Sequence, residues 1–490
     1  MLKTLIKKEI IETVYDLRFV IASLLFIILI PLSMFVNRID YEQRLSAYQQ
    51  ESQIWRAHHG TPKWGSKDVE GHGFRAPPVL SVFVLGLDPY LPDKVVTDFS
   101  GVFRTVKESN TDGALAVLLG QIDFRFCMVY VVSLMALVFT FKTVSGERER
   151  GTLRLLIASS VPRGTLLFCK WLSKTLVLII PFLVAVCIAL LVLNASPQID
   201  LNTPQLVYSI VAILGISLLL IICMTILGVC LSTYATGSLQ SITLLLTTWV
   251  ILVLGIPKVT PMIANIIHRP ECQRVISMQK TALTEDLMAE FYDRREKESV
   301  ALYGIRPEEW DRRGDDGLVI LGKRKITPEA FQALKDKAND HSEQLWRQYR
   351  HRIPMELGKI EAQYQNQLQA THTLTMVLSR LSCLSCYIYT IADLAGTGIH
   401  EPRNYMDNAR RYQEQISQLL YNNIIMRGNG YYWEKGFSPT QVPTFPDMQY
   451  ARPNLQTIIS RRIWDVLLLV FYSVLFYSLA FFRILKYDVR

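Results

Sequence analysis

The sequence predicts an all-α polytopic membrane protein with six transmembrane helices and cytosolic N and C termini. It adds an amphipathic N-terminal elbow helix, a mainly helical outer domain and a smaller mixed α/β outer segment. Three observations carry this. Half of the 490 residues are apolar and only 19% are charged, where a soluble domain carries nearer 25%. The apolar residues gather into six stretches, 19–36, 122–141, 175–195, 206–231, 239–257 and 463–482, each near the roughly 17–25 residues that cross a hydrocarbon core. The basic residues are asymmetric. Segments 1–18, 142–174 and 483–490 hold fourteen bases against six acids, about +8 of the formal +9, whereas the connector NASPQIDLNTP has no base. Basic short flanks stay in the cytosol. The positive balance is therefore a topology signal and gives no case for nucleic acid.

In chain order, residues 1–18 place Leu2, Leu5, Ile6, Ile10, Thr13, Val14 and Leu17 on one stripe. Lys3, Lys7, Lys8, Glu12 and Asp16 take the rest, as in a helix lying on a membrane surface. No small-residue cleavage pattern follows span 19–36, so it reads as a retained anchor. Segment 37–121 lies outside. Tyr41, Leu45, Tyr48, Ser52 and Trp55 recur at helical spacing, HHGTPKWGSKDVEGHG reads as a loop, PPVLSVFVLG as a short buried strand and GLDPYLPD as a turn. After the cytosolic loop 142–174 and spans three to five comes the large outer segment 258–462. Thr327 and Pro328 mark a helix start there. Phe331, Leu334, Ala338, Leu345 and Tyr349 continue it, Pro354 should kink or end it, and Ile360, Tyr364 and Leu368 resume the pattern as a hairpin or bent rod. Residues 400–455 read as loop-rich and aromatic.

Several chemistries lack their residues. No G-x-x-x-x-G-K-[ST] occurs, and no G-x-G-x-x-G follows a strand, so no P-loop ATPase resides in this chain. His58, His59 and His72 share a glycine-rich loop with Trp55 and Trp64, but their spacing matches no zinc pattern; no metal site is assigned. The eight cysteines do not form a disulfide framework, and Cys383 and Cys386, in the outer segment, lack the context of a redox pair. Asp123 and Arg125 open the second span and Asp465 the sixth, where they read as water-reached interfacial anchors. The spans otherwise hold almost no ionisable group, which argues against proton-coupled or ion-coupled transport.

The informative stretch is VSGERERGTLRLLIASSVP. Ser145 can cap a helix whose first turn carries Glu147 and Glu149, matched to the positive end of the dipole. Leu153, Leu156 and Ile157 share one face, with Arg148, Arg150 and Arg154 elsewhere. Two glutamates suit a protein groove better than a lipid surface. Residues Asp123 to Lys174 resemble the second-span region of type-2 ABC exporter permeases. That family shows S-G-E-[KR]-E-x-G-T-L-[RK] and a lysine entering span three, filled here by Ser145, Gly146, Glu147, Arg148, Glu149, Gly151, Thr152, Leu153, Arg154 and Lys170. Lys142 stands where an aspartate is common. LSRLSCLSCYIYTIADLAGTG (378–398) is similar to a subgroup with a large outer domain between spans five and six, with Cys383 in place of a proline.

The resemblance implies a permease subunit in a bacterial plasma (inner) membrane that couples ATP binding and hydrolysis to export. Residues 145–159, Arg150 included, would be the coupling helix, inserted into a separately encoded ABC ATPase present in two copies. ATP and Mg would bind that partner, and this chain would bind no cofactor of its own. A second permease, identical or related, would complete the transporter, and an extracytoplasmic partner is compatible with the outer domain. Two other readings stand beside export: mechanotransmission to an outer partner without cargo crossing, and a membrane-anchored sensor or scaffold. A membrane enzyme using the histidines or the cysteine pair would need a catalytic cluster that the sequence does not offer.

Overall fold

The computed structural model describes the chain except residues 1, 60–69, 99–102, 108–121, 154–161, 200–202, 305–318, 322–323, 428–429, 434–444 and 487–490. Helix dominates, and among the described residues six helices are long and apolar enough to cross a membrane. The chain begins with α1 (Leu2–Val14) and α2 (Leu17–His59). As the spacing of Tyr41, Leu45 and Trp55 predicts, α2 carries the first span onward without a break. The second span, α3, is one rod made of Phe124–Phe126, a π-helical stretch Cys127–Val132 and Ser133–Thr140. A short α4 (Ser145–Glu149) precedes α5 (Arg163–Asn194) and α6 (Pro204–Tyr234). The fifth span is α7 (Ser238–Val250), continued through a π turn Ile251–Gly255 into α8 (Ile256–His268). Next come α9 (Gln273–Tyr303), α10 (Pro328–Ser379), α11 (Cys383–Leu394) and α12 (Glu401–Asn423). The last span is α13 (Leu455–Leu485).

Burial explains why the spans associate. Phe26, Ile30, Met128, Leu137, Phe182, Ile213, Met224 and Leu469 are buried in one contiguous apolar core. Small residues set the closest approach. A Cβ on Gly228 of α6 would lie 1.9 Å from Thr140 Oγ1, so the absence of a side chain lets α3 and α6 meet. The outward halves of the spans stay apolar and exposed, including Leu24, Ile28, Val211, Ile267 and Phe471, as a surface that faces lipid requires.

α9 and α10 form an antiparallel pair with its own core of Leu287, Phe291, Leu345, Trp346, Tyr349 and Ile353. Lys280 meets Glu361, Tyr349 donates to Glu290 at 2.8 Å, and His341 lies 2.7 Å from Glu298. Thr327 accepts from Ala330 N at 3.4 Å and Pro328 starts the helix, as expected. Pro354 does not end it: the 52 residues run on to Ser379, and the hairpin partner is α9 rather than the second half of the same segment. At 1.5 Å per residue α10 spans about 78 Å, well over twice the ~30 Å of a hydrocarbon core.

Residues 380–394, placed by the sequence in the outer segment, belong to the bundle instead. After α10 the chain turns at Arg380–Ser382 and returns as α11, whose Cys383, Leu384, Cys386, Tyr387 and Ile391 are buried in the main core. Tyr387 Oη is 3.1 Å from Ser217 Oγ of α6, and Ser382 donates to Leu252 O at 2.9 Å. Tyr472 donates to Arg380 O at 2.8 Å, some seventeen residues into the 31-residue α13, about 25 Å along it. The turn therefore reaches the middle of the bundle. A twelve-residue apolar helix is too short to register as a span. All eight cysteines are free thiols.

Asp123 and Asp465 are not water-reached anchors; both are fully buried. Asp123 caps α3, accepting from Phe126 N at 2.7 Å and Leu85 N at 3.2 Å, with Arg125 3.5 Å away. Asp465 accepts from Arg380 at 2.6 Å and Arg462 at 3.0 Å, and Arg462 bonds Asp393 at 2.5 Å. This chain of charges fastens the inserted hairpin to α13.

The smaller lobe is mixed, as expected, but differently built. PPVLSVFVLG forms a 3-10 turn, Val79–Val82, not a strand, because Leu80, Val82, Phe83 and Val84 close the end of the bundle core. The strand lies in the predicted loop: β1 (Glu70–Phe74), β2 (Lys94–Asp98) and β3 (Phe103–Val106) make an antiparallel sheet in the order β1-β2-β3, with Gly71 opposite Thr97. Residues 401–423, read as loop, are α12, which lays Tyr405, Ala409, Tyr412 and Ile416 on the sheet. A Cβ on Gly73 would meet Tyr412 and Met448 at 2.9 Å, so glycine admits the helix. Two-stranded antiparallel sheets pair β4 (Val319–Leu321) with β5 (Arg324–Ile326) and β6 (Ile424–Arg427) with β7 (Gly430–Trp433).

Candidate functional site

The stretch 145–153 sits where the ends of the spans on the side of the N terminus converge, and Ser145, Glu147, Arg148 and Glu149 each hold a partner within the chain. Ser145 does not cap the helix it begins. Its Oγ donates to Phe141 O at 2.6 Å, and the cap comes from α6, where Ser232 Oγ accepts from Val144 N and Ser145 N at 3.1 and 3.2 Å. Gly146 is buried, with a Cβ position 3.2 Å from Lys142 Cβ. Arg148 donates to Ala235 O at 2.7 Å and Thr233 O at 3.3 Å; a cation there meets the negative end of α6. Glu149 accepts from the amide and hydroxyl of Ser238, which puts a carboxylate at the positive end of α7.

Glu147 points the other way, to Lys170 of α5. The Lys170 ammonium is buried and donates to Glu147 Oε1 at 2.5 Å and Glu9 Oε1 at 2.7 Å. Lys174 adds a bond to Thr13 at 2.6 Å. One ammonium thus joins α1, α4 and α5. Burial works to raise the Glu9 carboxyl, but Lys170, with Lys174 and Lys8 beyond it, holds it below its ordinary value. The face of α1 against α5 accordingly holds Ile6, Glu9, Ile10 and Thr13, while Val14 and Leu17 of the predicted apolar stripe are exposed.

The two glutamates, read from sequence as facing a partner's groove, are instead spent within the chain. Leu153 is also internal, packed with Val144, Leu167, Val229, Ala480 and Ile484. A single amphipathic helix from Ser145 does not form. It stops at Arg150, because Gly151 takes a φ of +75°, a conformation glycine adopts freely and other residues resist. Glu149, Arg150, Gly151 and Thr152 are the exposed members of the motif; Arg154, Leu156 and Ile157 lie outside the described residues. Arg163 completes the junction by donating to Leu485 O at 2.7 Å and Ile484 O at 3.2 Å at the end of α13.

Sequence reasoning missed Glu9, Ser232 and Ser238. A glutamate on the apolar side of α1 and serines at span ends were the available signals, since polar groups there need a named partner. Elsewhere, His72 stacks on Trp55 at 5.4 Å between ring centroids. The side chains of His58 and His59, and all of Trp64, lie outside the described residues. Among the described residues no group of three or more His, Cys, Asp or Glu is placed to hold a metal.

A family profile described as ABC-2 family transporter protein matches residues 3–489. None of the curated proteins matches the sequence.

Proposed function

The chain belongs to the ABC-2 transporter family, and from that premise we propose that it is the permease of an ATP-driven exporter whose coupling loop is residues 142–174. The family is one of multi-pass membrane subunits that work with an ABC ATPase. The finer reading is that two copies of a separate ATPase, carrying ATP and Mg, grip the loop at Arg150–Thr152 and beyond. A second permease, identical or related, then completes the pathway.

The observation that carries this reading is the Lys170 knot. A partner that displaces the loop also displaces α1 and α5 through Glu147, Lys170 and Glu9, and Arg148 and Glu149 carry the motion to α6 and α7. Binding energy at one surface then biases the packing of several spans together, as a two-state device requires.

Mechanotransmission has its own support in α10, one helix from the tip of the α9–α10 pair to the inserted turn. An outer partner on that tip would feel the bundle directly.

Copurification tests coupling. Arg150→Glu with Thr152→Asp should lose an associated ATPase while the permease itself stays monodisperse. If ATPase recovery and turnover are unchanged in that variant, the loop is not the contact.

A further inference from the structure

A cleft of about 470 Å³ opens on the N-terminal face between α1, the end of α3 and α5. That lies within the roughly 300–1,000 Å³ of small-molecule sites. Its walls bring basic groups together, one of which, Lys142, also lies 5.4 Å from the centre of the Phe141 ring. Lys8, Lys142 and Arg150 line it, are exposed, and make no ion pair among the described residues. Four carboxylates also face it. Lys170 takes Glu9 and Glu147, and Arg18 lies 3.7 Å from Asp16, leaving Glu12 alone against three cations. Arg18 is further held over the Phe141 ring at 4.8 Å.

Two buried polar atoms on the wall have no partner: Thr143 Oγ1, on a residue 5% exposed, and Glu147 Oε2. A buried hydroxyl and carboxylate oxygen left bare are costly, so the pair points to a ligand that accepts from Thr143 and donates to Glu147. Phe139 and Leu166 form an apolar side of the same cleft, and Ile11, Val14 and Leu17 nearby on the chain are exposed. A soluble cleft has no use for that apolar margin, whereas a bilayer does.

We infer that this cleft binds the headgroup of an anionic phospholipid bearing a hydroxyl, of the phosphatidylglycerol type. The lipid comes from the leaflet at the N-terminal face. Its phosphate lies among Lys8, Lys142 and Arg150, its headgroup hydroxyl donates to Glu147 Oε2, and Thr143 donates to a phosphate oxygen. The lipid bridges α1 to the coupling loop, so its occupancy sets how firmly the elbow follows the loop. The inference rests on the membrane character of the family and shares Arg150 with the proposed ATPase contact, so its test turns on Lys8 and Lys142.

The test uses the full-length chain in phosphatidylcholine nanodiscs containing a minor share of phosphatidylglycerol, with retained lipids counted by native mass spectrometry after release. The wild type should retain phosphatidylglycerol over phosphatidylcholine. Lys8→Gln with Lys142→Gln, which leaves the ATPase contact at Arg150–Thr152 unchanged, should reduce the preference about thirtyfold, as expected for two basic groups at a membrane surface. Thr143→Val, a near-isosteric change, should weaken it less and guards against misfolding of the double variant. Phosphatidic acid, which lacks the headgroup hydroxyl, should bind more weakly than phosphatidylglycerol. Three results would overturn the assignment. One is an absence of preference in the wild type. Another is a preference unmoved in these variants but removed by Arg452→Gln with Arg461→Gln, which line a different cavity. The third is full displacement by soluble glycerol phosphate, which would make the ligand a free phosphate rather than a lipid. ATPase copurification is scored separately, so failure here leaves the coupling proposal intact.

Discussion

Replacing Lys170 with methionine is the sharpest perturbation of the junction. It keeps the apolar stem that packs in α5 but removes the ammonium that Glu9 and Glu147 share at 2.7 and 2.5 Å. Breaking a buried ion pair by deleting one partner costs about 3–5 kcal/mol. Both carboxylates keep some access to water, with side chains 15% and 20% exposed, so the expected loss is the lower end, about 3 kcal/mol. Charge is the cause if removing the orphaned acids helps: Glu9→Gln with Glu147→Gln in the Lys170→Met background should recover most of it.

The pH dependence gives an independent sign. In the wild type the folded Glu9 carboxyl is held below its unfolded value. Its contribution is therefore present above the unfolded value and lost as pH falls through the folded one. In Lys170→Met burial is unopposed by its main counterion, the folded value rises above the unfolded one, and the variant should gain relative stability on acidification. Denaturant unfolding in detergent micelles, followed by tryptophan fluorescence at several pH values, reads both effects. Equal midpoints for wild type and Lys170→Met, with parallel pH curves, would refute the argument.

Other outcomes follow from single contacts. Gly228→Ala should destabilise by about 1–3 kcal/mol through overpacking against Thr140, and Thr140→Ala should restore part of it in a thermal-shift assay. Ser232→Ala strips the cap from two buried amides and should cost about 1–2 kcal/mol; more rapid amide exchange at 144–149 is the specific readout. Arg462→Met leaves Asp393 without its 2.5 Å partner and should loosen the inserted hairpin. Maleimide labelling of Cys386, as the sole cysteine, should rise from near zero; unchanged labelling would mean that packing alone holds α11.

Most of the helical framework was legible because hydropathy and period report on it directly. Thr327 with Pro328, and the train from Tyr41 to Trp55, were readable for that reason. Residues 383–394 were not, since a buried helix shorter than a span looks like any apolar patch. The helix 401–423 carried its signal in Tyr405, Ala409, Tyr412 and Ile416, but the aromatic, proline-bearing stretch after it obscured the period. At the junction, residue types were readable and directions were not. Glu147 and Glu149 suit the dipole of a helix start, yet their partners, Lys170 and Ser238, are 23 and 89 residues away. Only tertiary contact turns two outward-looking acids into braces between elements of the same chain.

The uninterrupted run of α10 has an experimental use. A rod of about 78 Å that ends in the bundle's centre magnifies small rotations: a tilt of about 5° about its inserted end would sweep the far end through about 7 Å. Spin labels or fluorophores on residues 330–340 would serve as the pointer of a gauge, reporting rearrangement among the spans from a site that leaves the bundle untouched.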